Sequence, residues 1–328
     1  MAGSNVLLGA NFNAPLTNFA LAQTNNDNSF VADRIAPIIT TPDLEGTYFQ
    51  SLNLHQRRTK TKRASGSPAV RITNDYVSKN YNCFQHSAAE EITKERKVRA
   101  EKAGFDVNEE GTITVLETMK IDREFEVAEL IQEPTQYAAV GNLISLSGAN
   151  RWNQSTATPF TNIQDARQRV VAGCGKPANV FLMPYNVWLY FSNNAEFLAR
   201  LSSLGIKEPS LEAFKVMLGK ELMPFDDIIV TPATYNKSTS KVSETPEDQL
   251  YDFIWGKSCV IARIEKQNNV SKKINTAFGT FSPEGFLGLQ IGTRYDADKQ
   301  VDIVEGDWWF NPQSTNIKGA VLIDTVID

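Results

Sequence analysis

The stretch "VNEEGTITVLETMKIDREFEVAELI", residues 107–131, carries the pattern that decides the fold. Its apolar residues recur at the spacing of one helix face, and Asp106 with Glu109 forms a D-x-x-E start signal. The early turn "GTITV" is a poor helix former, so the pattern defines the end of this helix better than its start. A helix over these residues is about 38 Å long at ~1.5 Å per residue. A compact monomer has little use for such an element, because its apolar face needs a partner.

The segments on either side also favour helix. Residues 84–103, "FQHSAAEEITKERKVRAEKA", are rich in charged helix formers and end at Gly104, a plausible C-cap. Pro134 interrupts the long helix, and "TQYAAVGNLISLSG" predicts a second, shorter helix ending near Gly148.

A cationic run precedes these helices. The stretch "NLHQRRTKTKRASGS", residues 53–67, holds five basic residues and no acidic one, although the chain has a formal net charge of -5. The five are Arg57, Arg58, Lys60, Lys62 and Arg63.

Both flanks of this run alternate with period 2. Tyr48, Leu52 and Leu54 share one parity, as do Val70 and Ile72, and residues 65–68 have the composition of a turn. We therefore predict that residues 46–76 form a long β-hairpin whose distal half is positively charged.

The N-terminal 30 residues are polar and rich in Asn, Thr and Ser, which indicates a flexible arm. The following segment mixes apolar residues with Pro37, Pro42 and Gly46, which is typical of extended edge segments.

From residue 156 onward, helices and strands alternate. Thr161 and Gln164 form a T-x-x-Q box that opens a helix ending at Gly173. "NVFLMP" predicts a buried strand, Pro184 starts one helix over "YNVWLYFSNNAEFLARLSSLG", and Ser210 caps another that Gly219 closes.

Strands predominate toward the C-terminus. "DDIIVTPA" and "YDFIWGKSCVIARIE" predict strands, and "LQIGTRYDADKQVDIVEGDWWF" predicts two runs around a turn at 296–299. "KGAVLIDTVI" predicts the last strand. These patterns together indicate an α/β or α+β core with a central sheet.

The sequence offers no constellation for catalysis or for a cofactor. The only two histidines, His55 and His86, lack zinc spacing, and neither Gly-rich stretch fits a nucleotide-binding loop. Cys174 with His86 as base is a candidate nucleophilic pair, but a buried thiol explains Cys174 better. We expect no catalytic residue, no metal and no cofactor.

Two further features concern compartment and packing. The three cysteines lie far apart, which indicates free thiols, and no apolar run is long enough to cross a membrane. Trp308 and Trp309 are expected to pack in a core or at a subunit contact.

The order of segments resembles that of tailed-bacteriophage major capsid proteins of the HK97 fold. Five stretches carry the resemblance: "FVADRIAPIITTPDLEGTYF" (30–49), "HSAAEEITKERKVRAEKAGFDVNEEGTITVLETMKIDREFEVAELI" (86–131), "SGANRWNQSTATPFTNIQDARQRV" (147–170), "GKPANVFLMPYNVWLYFSNNAEFL" (175–198) and "KGAVLIDTVI" (318–327). The first contains an Asp33-Arg34 pair and the second an Arg123-Glu124 pair. Each motif is weak alone, and their shared order makes the match specific.

The resemblance implies a division of the chain into five parts. They are an N-terminal arm (1–30), an entry segment with an extended loop (31–82), a peripheral domain with a long spine helix (83–154), an axial α/β domain (155–268) and returning peripheral strands (269–328). "KGAVLIDTVI" resembles the closing strand of the peripheral domain.

The resemblance also implies the function and the partners. The chain would assemble into hexamers and pentamers of an icosahedral head that encloses double-stranded DNA, and DNA would be contacted non-specifically at most. A separate scaffolding protein and a portal are the expected partners, and a decoration protein is a further candidate. Assembly is expected in the bacterial cytoplasm, with a final location in the virion. No membrane is involved.

Two other functions compete with this one. The basic hairpin 57–63 could bind nucleic acid, but it lacks interleaved aromatics for stacking and lies in no recognised DNA-binding motif. An enzyme built on an α/β core is disfavoured by the missing constellation. In the capsid reading the five cations contact a neighbouring subunit.

Overall fold

A computed structural model describes most of the chain. The described residues are 16, 29–51, 58–72, 76–104, 106–206, 208–219, 225–237, 251–266, 270, 274–286 and 288–328. The arm predicted at 1–30 lies almost wholly outside them.

Strands and helices are both present, as expected for an α+β chain. The strands are β1 (Ile38–Thr41), β2 (Glu45–Ser51), β3 (Tyr76–Asn82), β4 (Phe84–Thr93), β5 (Leu143–Ser145), β6 (Val180–Pro184), β7 (Asp227–Thr231), β8 (Thr234–Asn236), β9 (Tyr251–Phe253), β10 (Cys259–Ala262), β11 (Phe278–Pro283), β12 (Gln290–Asp296), β13 (Val301–Ser314) and β14 (Ala320–Asp324). The helices are α1 (Ala32–Ile35), α2 (Lys94–Ala103), α3 (Val107–Gln132), α4 (Pro134–Ala138), α5 (Pro159–Cys174), α6 (Tyr185–Ser192), α7 (Ala195–Ser203) and α8 (Leu211–Gly219).

The predicted long helix is confirmed as α3. It runs for 26 residues, and the Asp106 carboxylate accepts a hydrogen bond of 2.8 Å from the backbone N–H of Asn108. Its N-terminal half packs on β13, while Val127 and Ile131 enter a second core. The helix therefore connects two hydrophobic clusters, which overrides the poor propensity of its first turns.

The helix predicted over residues 84–103 is only half right. Phe84–Thr93 form strand β4, which pairs antiparallel with β13 over ten residue pairs, and α2 begins at Lys94. Alternate residues of β4 are shielded, from His86 to Ile92, because that face packs against α3. Pairing with a distant strand overrides the local helix propensity here.

Two five-stranded sheets organise the fold. In the first, the order is β1-β11-β13-β12, and β4 pairs additionally with β13. In the second, the order is β5-β14-β10-β6-β7. The predicted strand near the C-terminus is β14, which pairs between β5 and β10 in the second sheet.

The helix that was predicted after Pro134 to end near Gly148 is shorter than expected. Helix α4 ends at Ala138, Gly141 adopts a φ of +76°, and the chain then forms β5 beside β14. The Asn142 side chain donates to the carbonyl of Ala320 at 2.8 Å, which fixes this change of direction.

The axial helices differ from prediction at their ends. Helix α5 begins at Pro159, so Thr161 lies inside it and forms no capping box, and it continues past Gly173 to a left-handed Gly175. The helix expected after Pro184 is divided into α6 and α7, because Asn194 caps α7 by accepting from the N–H of Glu196 at 2.9 Å. The Ser210 cap is confirmed.

Aromatic rings from α5, α6, α7 and α8 pack together in one core. Phe160, Phe191, Phe197 and Phe214 are almost fully buried and pack with ring centres 4.9–6.3 Å apart. Trp308 and Trp309 are also buried, which confirms the packing role expected for this pair. In the described residues, no helix is long and apolar enough to cross a membrane.

Candidate assembly interface

The base of the predicted hairpin is confirmed. Strands β2 and β3 pair antiparallel from Glu45 with Asn82 to Ser51 with Tyr76. The rings of Tyr48 and Tyr81 lie 4.9 and 5.2 Å from the ring of Phe281 in β11. The hairpin is thus held on the first sheet by a buried aromatic cluster, and burial raises the pKa of Tyr48 to about 12.

The ring of Tyr81 lies against the backbone of the opposite strand. A Cβ atom on Gly46, which is paired with Tyr81, would lie 2.7 Å from the Tyr81 hydroxyl oxygen. Glycine is therefore required at this position for the ring to reach Phe281.

Beyond the base, residues 58–72 form a segment that the rest of the described chain does not cover. We call it the distal loop; every residue in it is exposed except Ser67, which is half-buried. A turn closes it, with Gly66 at a φ of +82° and the N–H of Ser67 donating to Ala64 at 3.2 Å. The turn predicted at 65–68 is therefore confirmed.

The continuous strand expected in the distal half of the hairpin is not confirmed. Val70 and Ile72 lie outside any strand, and their side chains are 49% and 60% exposed. Period-2 alternation buries side chains only when a neighbouring strand or core is present, and the described part of this chain supplies neither here.

The structure places four of the five predicted contact residues on the distal loop. Arg58, Lys60, Lys62 and Arg63 are all exposed, and Arg57 lies outside the described residues. Arg63 donates to the carbonyl of Ser67 at 2.8 Å. Within the described part of the chain, none of the four forms an ion pair with a carboxylate. Their charges are thus presented outward, beside exposed apolar side chains.

A second arrangement holds the entry segment across α3. The carboxylate of Glu124 is almost fully buried and accepts hydrogen bonds from the backbone N–H groups of Val31 and Ala32 at 2.9–3.1 Å. The indole N–H of Trp255 donates to the same carboxylate at 2.6 Å. Burial raises the pKa of Glu124, and these three donors oppose that rise.

The neighbouring charges continue this network. Arg123 pairs with Asp33 and stacks over Trp308, with its guanidinium carbon 4.3 Å from the ring centre. Arg34 forms a two-pronged pair with Asp227 at the start of β7, with a shortest distance of 2.8 Å. The Asp-Arg and Arg-Glu pairs singled out in the sequence therefore meet in space.

Sequence reasoning missed the partners of this network. Trp255 and Asp227 belong to strands or loops of the axial region, and no local pattern links them to residues 31–34. The one available signal was a tryptophan inside an otherwise aliphatic strand pattern, since a buried indole N–H needs an acceptor.

The candidate nucleophilic pair does not come together. Cys174 ends α5 in the axial core, whereas His86 lies in β4 against α3. Burial raises the pKa of the thiols of Cys174, of Cys83 (to about 11) and of Cys259, so all three stay protonated near neutral pH. All three are free, as expected.

Comparison with known proteins agrees with this architecture. No family model matches the chain. The major capsid protein of Burkholderia phage BcepMu is 22% identical over 315 residues, which cover 95% of both chains. Among solved structures, a phage-related protein from Bordetella bronchiseptica RB50 has a TM-score of 0.73 at 14% identity. The match covers 97% of this chain and 99% of that protein's chain.

A capsid structure extends the same comparison. The capsid protein of cyanophage P-SCSP1u has a TM-score of 0.56 at 10% identity and covers 98% of this chain and 91% of its own. The predicted resemblance is confirmed: the chain has the HK97-like capsid fold and is similar in sequence to a phage major capsid protein.

Proposed function

We propose that this chain is a major capsid protein that assembles into hexamers and pentamers of an icosahedral phage head enclosing double-stranded DNA. The observation that carries the proposal is the match to a capsid protein over nearly the whole length of both chains. A shell subunit uses all its parts for contacts, so a relationship along the whole chain is more informative than one limited to a single domain.

The distal loop supports assembly through contact between copies. Its exposed cations lie beside Val70 and Ile72, which gain burial only against another surface. Without the five basic residues, the rest of the chain has a net charge of about -10, that is, -5 minus 5. A neighbouring copy therefore offers the carboxylates for Arg57, Arg58, Lys60, Lys62 and Arg63, and such pairs set register and partner choice.

We assign roles to the parts of the chain as predicted from the sequence, with one change. Residues 1–30 act as the arm, 31–82 as entry segment and extended loop, 83–154 and most of 269–328 as the peripheral domain, and 155–268 as the axial domain. Strand β14 joins the axial domain, because it pairs with β10.

The remaining partners follow from the same proposal. A separate scaffolding protein and a portal act during assembly in the host cytoplasm, and a decoration protein is a candidate partner on the finished virion. DNA is contacted non-specifically, and the role is structural, not enzymatic. Uniform shells from the chain expressed alone would argue against a separate scaffold.

Size-exclusion chromatography with electron microscopy of the purified chain tests the proposal. Shells or ring-shaped capsomers support it. A stable monomer that binds DNA with a log–log salt slope near -4.5, about 0.9 per phosphate contact for five contacts, would overturn it in favour of the nucleic-acid alternative.

A further inference from the structure

One group of metal-ligating side chains lies outside the contacts described so far. Strand β4 supplies His86, and α3 supplies Asp122 and Glu126, which stand one helical turn apart on the same face. Three potential ligand atoms, one from each side chain, lie within 4.8 Å of one another. The sequence offered no such site by spacing, because it forms only when β4 packs on α3.

The distances within the group suit an ion better than direct hydrogen bonds. His86 Nδ1 lies 3.5 Å from an oxygen of Asp122 and 3.5 Å from an oxygen of Glu126. A hydrogen bond from a ring nitrogen is normally about 2.7–3.2 Å long. Two ligands of a tetrahedral zinc ion, each ~2.0–2.1 Å from the metal, are separated by about 3.4 Å.

The histidine ring is held in a fixed orientation. It stacks on Phe310 with ring centres 4.0 Å apart and planes within 10°, and Phe310 itself is buried. Stacking on a core residue restrains rotation of the imidazole, so Nδ1 stays directed at both carboxylates. A preorganised ligand binds a metal ion with less loss of conformational entropy.

The charges around the group favour a cation. The carboxylates of Asp122 and Glu129 lie close enough to Glu126 to act on its charge, so negative charge is concentrated here. Arg123 is engaged by Asp33. The Asp122 side chain is 60% exposed, so an ion has access from solvent.

We propose that His86, Asp122 and Glu126 bind one divalent transition-metal ion of the zinc class, with water in the remaining position. Mixed imidazole and carboxylate ligands are typical of such ions. The bound ion links β4 to α3 and thereby stabilises the peripheral sheet on the spine helix. The site uses no residue of the distal loop.

Zinc titration of the full-length chain, stripped with a chelator, tests the site by isothermal calorimetry. The variants are Asp122→Asn, Glu126→Gln and His86→Phe, the last of which keeps an aromatic ring on Phe310. The control is Glu117→Gln, which removes an exposed carboxylate elsewhere on α3. We expect one zinc ion per chain for the native protein and the control, and at least tenfold weaker binding for each variant.

Two results would overturn the proposal. Zinc binding that is absent from the native chain, or equal in all four variants, would show that the group is no metal site. If the native chain binds no zinc, and Asp122→Asn unfolds at a lower temperature than the native chain, the group is a plain ion pair. Circular dichroism of each variant confirms that a loss of binding is not a loss of folding.

Discussion

The indole N–H of Trp255 donates a 2.6 Å hydrogen bond to the carboxylate of Glu124, 131 residues earlier in the chain. Both side chains are almost completely buried. The same carboxylate accepts from the N–H groups of Val31 and Ala32. One side chain of α3 therefore joins residues 31 and 32 to the segment that follows β9.

Replacing Glu124 by Gln should lower the free energy of unfolding by about 1–3 kcal/mol, because an amide nitrogen would face N–H donors that then lose their acceptor. Urea denaturation measures the change. The matched control is Glu117→Gln, whose side chain is exposed on the same helix. Equal stability of the two variants would contradict the role assigned to Glu124.

The pH dependence of stability should also change in Glu124→Gln. Because the native pKa of Glu124 is raised above its usual 4.5, the folded state holds the proton more tightly than the unfolded state. Stability contributed by this group is therefore present below pH 4.5 and is lost as pH rises toward the raised value. The difference between native chain and variant, followed by denaturation across this range, should fall with pH; a flat difference would contradict it.

Gly306 in β13 should tolerate no side chain. A Cβ atom there would lie 2.7 Å from Val115 and 3.0 Å from the sulfur of Met119, both on α3. We expect Gly306→Ala to cost about 1–3 kcal/mol by overpacking. Gly285→Ala is the control, since no atom lies within 4 Å of its Cβ position. Thermal denaturation of both variants measures the effect. An unchanged melting temperature for Gly306→Ala would show that α3 can move away from β13 without loss of stability.

Reversing the five loop charges, Arg57, Arg58, Lys60, Lys62 and Arg63, to Glu should block assembly and leave the circular dichroism of the subunit intact. The four of these residues that the structure describes form no ion pair within the described chain, so the fold does not need their charges. A variant that exchanges Arg and Lys at the same positions keeps the charge and should still assemble. Normal particles from the Glu variant would show that the charges are not assembly contacts.

The three cysteines should react slowly with a thiol reagent in the native chain. All are buried, and burial raises their pKa values, so little thiolate exists near pH 7. Absorbance with a disulfide reagent should show three thiols only after denaturation. Fast reaction of any one of them in the folded protein would indicate an opening that the structure does not contain.

Local signals account for the parts of the fold that the sequence predicted. The Asp106 cap, the apolar face of α3 and the turn near Gly66 depend on neighbouring residues only. Strand β4 was not predicted from the sequence, because its conformation depends on pairing with β13, more than 200 residues away. The same is true of β14, whose sheet is decided by β10 and β5 and not by its own apolar run.

For the candidate interface, too, the sequence predicted local features and missed contacts between residues far apart in the chain. Charge and turn composition were sufficient to find the distal loop. Nothing local shows which carboxylates receive its cations, and nothing local paired Asp33 with Arg123 or Glu124 with Trp255. Those contacts arise from three segments that meet only in the folded chain.

The position of β14 in the middle of its sheet also has a consequence for synthesis. Residues 320–324 lie between β5 and β10, so this sheet has a gap until they have left the ribosome. A nascent chain consequently lacks a complete second sheet while translation is under way. Prematurely terminated products that lack residues 320–324 would carry the same gap, so only subunits translated through β14 complete this sheet.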